Sequence, residues 1–379
     1  MLLASESLSA LPGVLAEWGD PQAVAFVPTA AEQLTDRDAV VVPALRALTD
    51  AGCALELVEL GEAADAQHAR ARLRTAEVIA IGGGDPFRLA ARVGATGTAD
   101  VIADALMRGV GYVGVSAGAM LVGPTLEPLR LTSPFPAPDV VPEPLAAFGR
   151  LVLPHDDRPG RRARHDDARA AHPDVPMVTL GDDEALVVHG DHLEVRDDRG
   201  HVRDPDVPGI ELREATADDA RGLAALFTAA ARAAWSDFLG KERLRAFESP
   251  VEIWEQRIAA LTPPARLRVA LDGEGVVGFA WIGPAPDPDL APGTGQLDVF
   301  YTHPRCWGTG VGRSLHRWVI SALAVAGFER AVLWTEERNE RPRAIYQAAG
   351  WTLDGAVRER EFLGVAIREL RHQIAVPSW

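Results

Sequence analysis

Twice within the first 125 residues, a run of β-branched and small apolar residues breaks into glycines and reopens as a helical pattern. The stretches are "AEVIAIGGGDPFRLAARV" (76–93) and "GVGYVGVSAGAMLVG" (109–123). A strand that runs through glycines straight into a helix cannot return as a hairpin. The chain must cross over, so successive strands lie parallel with helices covering the sheet. The runs "AVAFVPTA" (23–30) and "CALELVEL" (53–60) read as two more buried strands, with "DRDAVVVPALRALTDAG" (36–52) as the helix between them. The first part of the chain is therefore expected to be an α/β domain built on a doubly wound parallel sheet.

This pattern stops near residue 208. "EVRDDRGHVRDPDVPG" (194–209) shows neither helical nor strand periodicity. Of nine tryptophans only Trp18 precedes Trp235, whereas all four methionines lie at or before Met177, as two separate cores would give. A length of 379 residues is enough for both. The expected domains are 1–207 and 208–379. In the second, "IELREATADDARGLAALFTAAARAAW" (210–235) is a strand followed by an amphipathic helix, with Thr216 and Asp219 spaced as a capping box. "LRVALDGEGVVGFAWIG" (267–283) reads as a hairpin, so an α+β domain with a mixed, mostly antiparallel sheet is expected.

Composition narrows the partners. A net charge of −16 with scattered acidic residues offers no basic face for nucleic acid. Cys53 and Cys306 have neither metal-ligand nor redox spacing, and no metal site is expected. No apolar run approaches the ~18 residues of a membrane helix, and the first twenty residues lack a signal peptide's basic flank. The expectation is a cytoplasmic protein acting on small molecules, with no membrane partner and a homodimer left open.

Gly114-Val115-Ser116-Ala117-Gly118 fits G-x-S-x-G, where small neighbours let a nucleophile stand on a sharp turn between strand and helix. The turn Gly82-Gly83-Gly84 does not complete G-x-G-x-x-G, because Phe87 takes the last position. Its amides could instead form an oxyanion hole with that of Ala117. "VIAIGGGDPFRLA", "GYVGVSAGAMLVGPTL" and "LVLPHDD" together resemble, over about residues 1–200, the peptidase E and cyanophycinase family of serine peptidases. That resemblance implies a class I glutamine amidotransferase-like fold, Ser116 as nucleophile, His155 as general base, and Gly83, Gly84 and Ala117 as oxyanion donors. The family's orienting aspartate would fall at Leu131, which leaves Glu127, Asp139 or no acid at all. The resemblance further implies a small peptide or amide substrate, with an aspartyl group among the options. "DDRPGRRARHDDAR" (156–169) supplies arginines, Arg161 among them, able to hold an acidic side chain.

The second informative run is "LDVFYTHPRCWGTGVGRSLHRWVISALAVAGF" (297–328), in which closely spaced glycines open a helix, an arrangement that surrounds a pyrophosphate with backbone amides. With "NERPRAIYQAAGWTLDG" (339–355), it resembles the GNAT family of N-acetyltransferases. The family's Q/R-x-x-G-x-G/A motif falls on Trp307, Gly308, Thr309, Gly310, Val311 and Gly312. Trp307 replaces its first residue, and the lost cation is left to Arg305 or Arg313. The resemblance implies acetyl-CoA as cosubstrate and a small amine as acceptor. Pantetheine would be bound by the backbone of residues 300–302, including Phe300 and Thr302, and Tyr346 would protonate the departing thiolate. Asn339 is either a cofactor contact or a helix cap, the general base is Asp298 or Glu336, and Trp235, Trp254 and Trp281 are core or an acceptor pocket. A bifunctional enzyme is the expected whole. The alternatives are an acetyltransferase with a non-catalytic peptidase-like domain used for binding or dimerisation, and a peptidase whose second domain senses acetyl-CoA.

Overall fold

The computed structural model describes residues 1–61 and 66–377. The chain forms two compact units, Met1–His189 with Leu193–His201, and Gly190–His192 with Val202–Trp379. The division expected at 207/208 falls inside a loop of the second unit. Val202 pairs with Leu212 across it, and Val202 and Val207 are buried in that unit's core. So short a strand within polar sequence has no visible period.

The strands of the first unit are β1 (Leu2–Ala4), β2 (Ala23–Val27), β3 (Ala54–Leu57), β4 (Val78–Ile81), β5 (Gly111–Val115), β6 (Leu151–Leu153), β7 (Met177–Thr179), β8 (Glu184–His189) and β9 (His192–Asp197). Its main sheet runs in the order β3-β2-β4-β5-β1-β8-β9. The pairs from β3 to β1 are parallel and β1/β8 is antiparallel. Alternate residues feed two cores on opposite faces. Leu3, Val27, Ile79 and Ile81 pack into one, and Leu2, Phe26, Val78 and Val113 into the other. Helices begin where the sequence supplies caps: Asp36 accepts from the Ala39 amide, and Asp85 from those of Phe87 and Arg88. β6 and β7 form a separate parallel pair. Ser5, Ser116, His155 and Asp182 all follow within three residues of a strand's C-terminal end, where α/β sheets collect functional groups.

The second unit contains β10 (Val202–Arg203), β11 (Glu211–Glu214), β12 (Arg266–Asp272), β13 (Gly275–Pro284), β14 (Thr294–Thr302), β15 (Arg330–Glu336), β16 (Thr352–Phe362) and β17 (Val365–Ala375), ordered β10-β11-β12-β13-β14-β15-β17-β16. Among the described residues of this unit only β14/β15 is parallel. The capping box at Thr216 and Asp219 forms and leads into the helix Ala220–Ala234, which packs with Trp254 on one face of the sheet. The helix Val311–Val325 packs with Tyr346 and Trp351 in the other core. Trp254 is buried, Trp235 stacks edge-on with Phe227, Tyr301 and Phe362, and Trp281 is partly buried beside the Trp254 cluster. All three belong to packed aromatic clusters. Among the described residues no helix is long and apolar enough to cross a membrane.

Candidate functional site

Ser116 follows β5 directly and adopts φ 49°, ψ −104°, a backbone region that L-residues occupy only when the surroundings enforce it. Its amide donates to the Ala4 carbonyl at 2.9 Å, and its carbonyl accepts from the Ala119 and Met120 amides that open the next helix. The flanking glycines let this turn close. A Cβ on Gly118 would lie 2.2 Å from the Ile81 carbonyl oxygen, and one on Gly114 would lie 2.6 Å from that of Gly118. Gly84, at φ 134°, passes so close to Ala30 that a Cβ would meet its carbonyl oxygen at 2.2 Å. Gly83 lies against the nucleophile itself, its notional Cβ 3.3 Å from Ser116 Cβ. Hydrogen bonds engage the amides of Gly82 and Asp85. Among the described residues, none engages those of Gly83, Gly84 or Ala117. Of these three, Gly83 lies against Ser116 and Ala117 follows it directly in the chain.

His155 Nε2 lies 3.0 Å from Ser116 Oγ, and Nδ1 lies 2.5 Å from Asp182 Oδ1. These partners assign the tautomer: Nδ1–H donates to the carboxylate, and Nε2 is free to accept the serine proton. Asp182 Oδ2 accepts from Arg158 Nε at 2.6 Å, and Arg158 also pairs with Glu6. Burial pushes the His155 pKa below its usual value despite the raising effect of Asp182, and Arg158 and Arg161 push the same way, so the imidazole is neutral near pH 7. Burial alone would raise the pKa of Asp182, but the hydrogen bonds from Arg158 and His155 outweigh it, so the carboxyl stays ionised. These are the protonation states a serine–histidine–carboxylate relay needs at rest.

Neither acid expected to orient His155 does so. Glu127 accepts from Arg130 Nε at 2.7 Å, and Asp139 is an exposed residue of the proline-rich loop, its backbone carbonyl bound by the same arginine. Asp156, next to His155 in the chain, turns instead to His165 and Arg162. Leu131 is exposed.

In the second unit, β14 and β15 pair only over Thr294–Leu297 and Arg330–Leu333. The β13/β14 register shifts between Trp281 and Ile282, opposite Asp298, and from there to Thr302 β14 is paired with β13 alone. Its other edge is open along the residues expected to hold pantetheine. Gly308 (φ 85°) and Gly310 (φ 101°) shape the loop that follows, and Val311 starts a 15-residue helix whose first amides face it. Gly312 lies in that helix against Thr302, and Arg313 Nη2 comes within 3.8 Å of where a Gly310 Cβ would stand. The Trp307 indole donates to the Thr302 carbonyl at 3.2 Å and carries the Arg341 guanidinium 3.9 Å above its ring. Arg305 is tied to Asp272 and Glu274.

Tyr346 is buried with its ring 6.3 Å from that of Phe300, and burial raises its hydroxyl pKa well above the ordinary value, so it holds its proton. Asn339 stands at the start of the helix Glu340–Ala348 but makes no side-chain capping bond. Glu336 is buried and bound to Arg338 at 2.6 Å, whereas Asp298 is exposed beside the open edge and accepts from Gln296 Nε2.

Residues 5–196 match peptidase family S51. The chain belongs to peptidase family S51. Residues 228–351 match the acetyltransferase (GNAT) family, so the S51 region is followed by a GNAT domain. Peptidase E of Streptomyces coelicolor is 32% identical over 179 residues, which cover 44% of this chain and 68% of that protein. The mycothiol acetyltransferase of Beutenbergia cavernae is 34% identical over 82 residues, only 21% of this chain and 26% of that protein. The crystal structure of a Listeria monocytogenes protein assigned as a peptidase E superposes with a TM-score of 0.44 at 21% identity, covering 52% of this chain and 96% of that one. In this S51 member the acid beside the histidine is Asp182, in "TLGDDE" (179–184) just past β7. The available signal was its place at the end of a short apolar run, since functional groups of such sheets gather at strand C-termini.

Proposed function

We propose that the chain is a bifunctional enzyme, a serine hydrolase of small peptides or amides fused to an acetyl-CoA-dependent N-acetyltransferase of a small amine. The observation that carries the hydrolase reading is the unbroken series Ser116 Oγ, His155 Nε2, His155 Nδ1 and Asp182 Oδ1, at 3.0 and 2.5 Å. Ser116 Oγ attacks the substrate carbonyl while its proton passes to His155 Nε2. The imidazolium is held by Asp182, and the amides of Gly83, Gly84 and Ala117 receive the oxyanion. Collapse breaks the C–N bond as His155 returns the proton to the departing amine, and water then releases the acyl group by the same steps in reverse. Arg161 supports an acidic substrate side chain. It is half-buried, close enough to shift His155 electrostatically, donates to the Thr132 carbonyl, and among the described residues has no carboxylate in ion-pair contact.

For the second activity, the open edge of β14 and the glycine loop at a helix N-terminus fit acetyl-CoA, which supplies an activated acetyl thioester. The backbone of residues 300–302 orients it, Tyr346 Oη keeps a proton for the thiolate, and Asp298 is better placed than the arginine-bound Glu336 to relieve the acceptor amine of its proton. Cleaving an amide frees an amine, the group an acetyltransferase consumes, so one product can feed the other reaction. The test is Ser116→Ala in the full chain, supplied with aspartyl and glutamyl amides and acetyl-CoA and followed by mass spectrometry. Hydrolysis should fall on the order of 10⁶ with acetylation retained. Unchanged hydrolysis ends the serine-hydrolase reading, and a wild-type chain that acetylates no amine ends the transferase reading.

A further inference from the structure

The two left-handed residues of the hydrolase site, Ser116 at φ 49° and His155 at φ 66°, are both tied to the end of β1. The Ala4 carbonyl accepts from the Ser116 amide at 2.9 Å, and Ser5 Oγ accepts from the His155 amide, also at 2.9 Å. Ser5 is fully buried. Its Oγ lies 3.4 Å from His155 Nδ1 and 3.5 Å from Asp182 Oδ1. Backbone bonds draw the carboxylate to the same place, with the Ser5 amide donating to the Glu184 carbonyl and the Ser7 amide to that of Asp182, at 3.1 and 3.0 Å.

We propose that Ser5 is a positioning residue whose buried hydroxyl locks His155 into the backbone conformation that aims its imidazole at Ser116 and Asp182. His155 stands two residues past the end of β6, beyond the β6/β7 ladder, so its N–H needs an acceptor from elsewhere. Ser5 Oγ is that acceptor. Having spent a lone pair on the His155 amide, it directs its own proton towards Asp182 Oδ1, the oxygen that also receives Nδ1–H, so one hydroxyl fixes base and acid together. Ser5 touches no reacting atom, and it acts through His155.

The effect on rate rests on the serine-hydrolase reading, but the effect on His155 does not, so the test reads both. Full-length wild type, Ser5→Ala and Ser5→Thr are compared, first by the rate at which a fluorophosphonate labels Ser116 across pH. In that reaction the Oγ–P bond forms, fluoride leaves and the serine proton passes to His155. The second readout is the downfield proton resonance of His155 Nδ1–H. Small misplacement of reacting groups costs about 10²-fold, so Ser5→Ala should label some tenfold to a hundredfold more slowly and lose the downfield resonance, while its thermal unfolding stays cooperative. Ser5→Thr, which keeps the hydroxyl, should recover both. A Ser5→Ala protein with wild-type labelling and resonance overturns the proposal, and so does slow labelling with the resonance intact. If wild-type Ser116 resists the probe, the hydrolase reading fails, and the resonance alone decides the role of Ser5.

Discussion

Asp182→Asn is the sharpest perturbation the hydrolase site offers. Asp182 faces two donors at once, His155 Nδ1–H on Oδ1 at 2.5 Å and Arg158 Nε on Oδ2 at 2.6 Å. An amide can accept on one side only. If its oxygen stays with the permanently charged Arg158, its NH₂ faces His155 Nδ1, which must then be the unprotonated nitrogen. The proton moves to Nε2, and the base can no longer accept from Ser116. Carboxylate-to-amide changes that impose the wrong tautomer cost about 10⁴ in kcat. At 1.36 kcal/mol per decade, that is about 5 kcal/mol of transition-state stabilisation. The pH profile gives a second signature. Burial places His155 below the ordinary histidine value of 6.5, so the acid limb of kcat/KM for hydrolysis should lie under pH 6.5 in the wild type: the base is charged and idle below its pKa and active above it. Because Asp182 opposes that lowering, its loss should move the residual limb to still lower pH. The assay is initial-rate hydrolysis of an aspartyl amide across pH, with Glu127→Gln and Asp139→Asn as comparators expected to match wild type. An Asp182→Asn enzyme within tenfold of wild type, or a Glu127→Gln enzyme that loses activity, would refute the assignment.

Two further outcomes follow from the geometry. Tyr346→Phe should lower kcat for acetyl transfer by about 10²–10⁴ with the CoA dissociation constant unchanged, since a buried, protonated phenol acts only as the thiolate departs. Stopped-flow rates with calorimetric CoA titration separate the two quantities. Gly84→Ala should destabilise the chain by at least about 2 kcal/mol, read from denaturant melts, because φ 134° and a backbone oxygen 2.2 Å from the new Cβ leave no room for relaxation.

Much of the first unit was legible because its signals are local. β4 and β5 announce themselves by consecutive Val, Ile and Gly, and the Ser116 turn by glycines whose removal of a Cβ prevents real clashes with Ile81 and its own helix. The orienting acid was not legible for the opposite reason. Its position depends on β6 and β7 lying side by side, which brings residues 155 and 182 together although neither strand exceeds three residues. A search for an acid near Ser116 in sequence finds Glu127 and Asp139, which the fold sends to Arg130 and to solvent. The two-residue strand Val202–Arg203, with which the main stretch of the second unit begins ahead of the expected 207/208, is likewise too short to show a period in the sequence.

In the second unit the glycine loop was readable but the open edge beside it was not, because a strand's own residues do not reveal where its neighbour stops pairing. The β13/β14 register shift and the end of β14/β15 pairing after Leu297 are properties of partners. The Trp307 substitution makes the same point in terms of charge. Sequence alone offered Arg305 or Arg313 to replace the missing cation. Arg305 is neutralised by Asp272 and Glu274, which leaves Arg313 beside Gly310 and adds Arg341, stacked 3.9 Å over the Trp307 ring. An aromatic ring at the motif's first position thus recruits a guanidinium from the helix Glu340–Ala348, the helix that also carries Tyr346. Positive charge beside the loop comes from an element 34 residues downstream of the motif (341 minus 307), where no reading of the motif by itself would look.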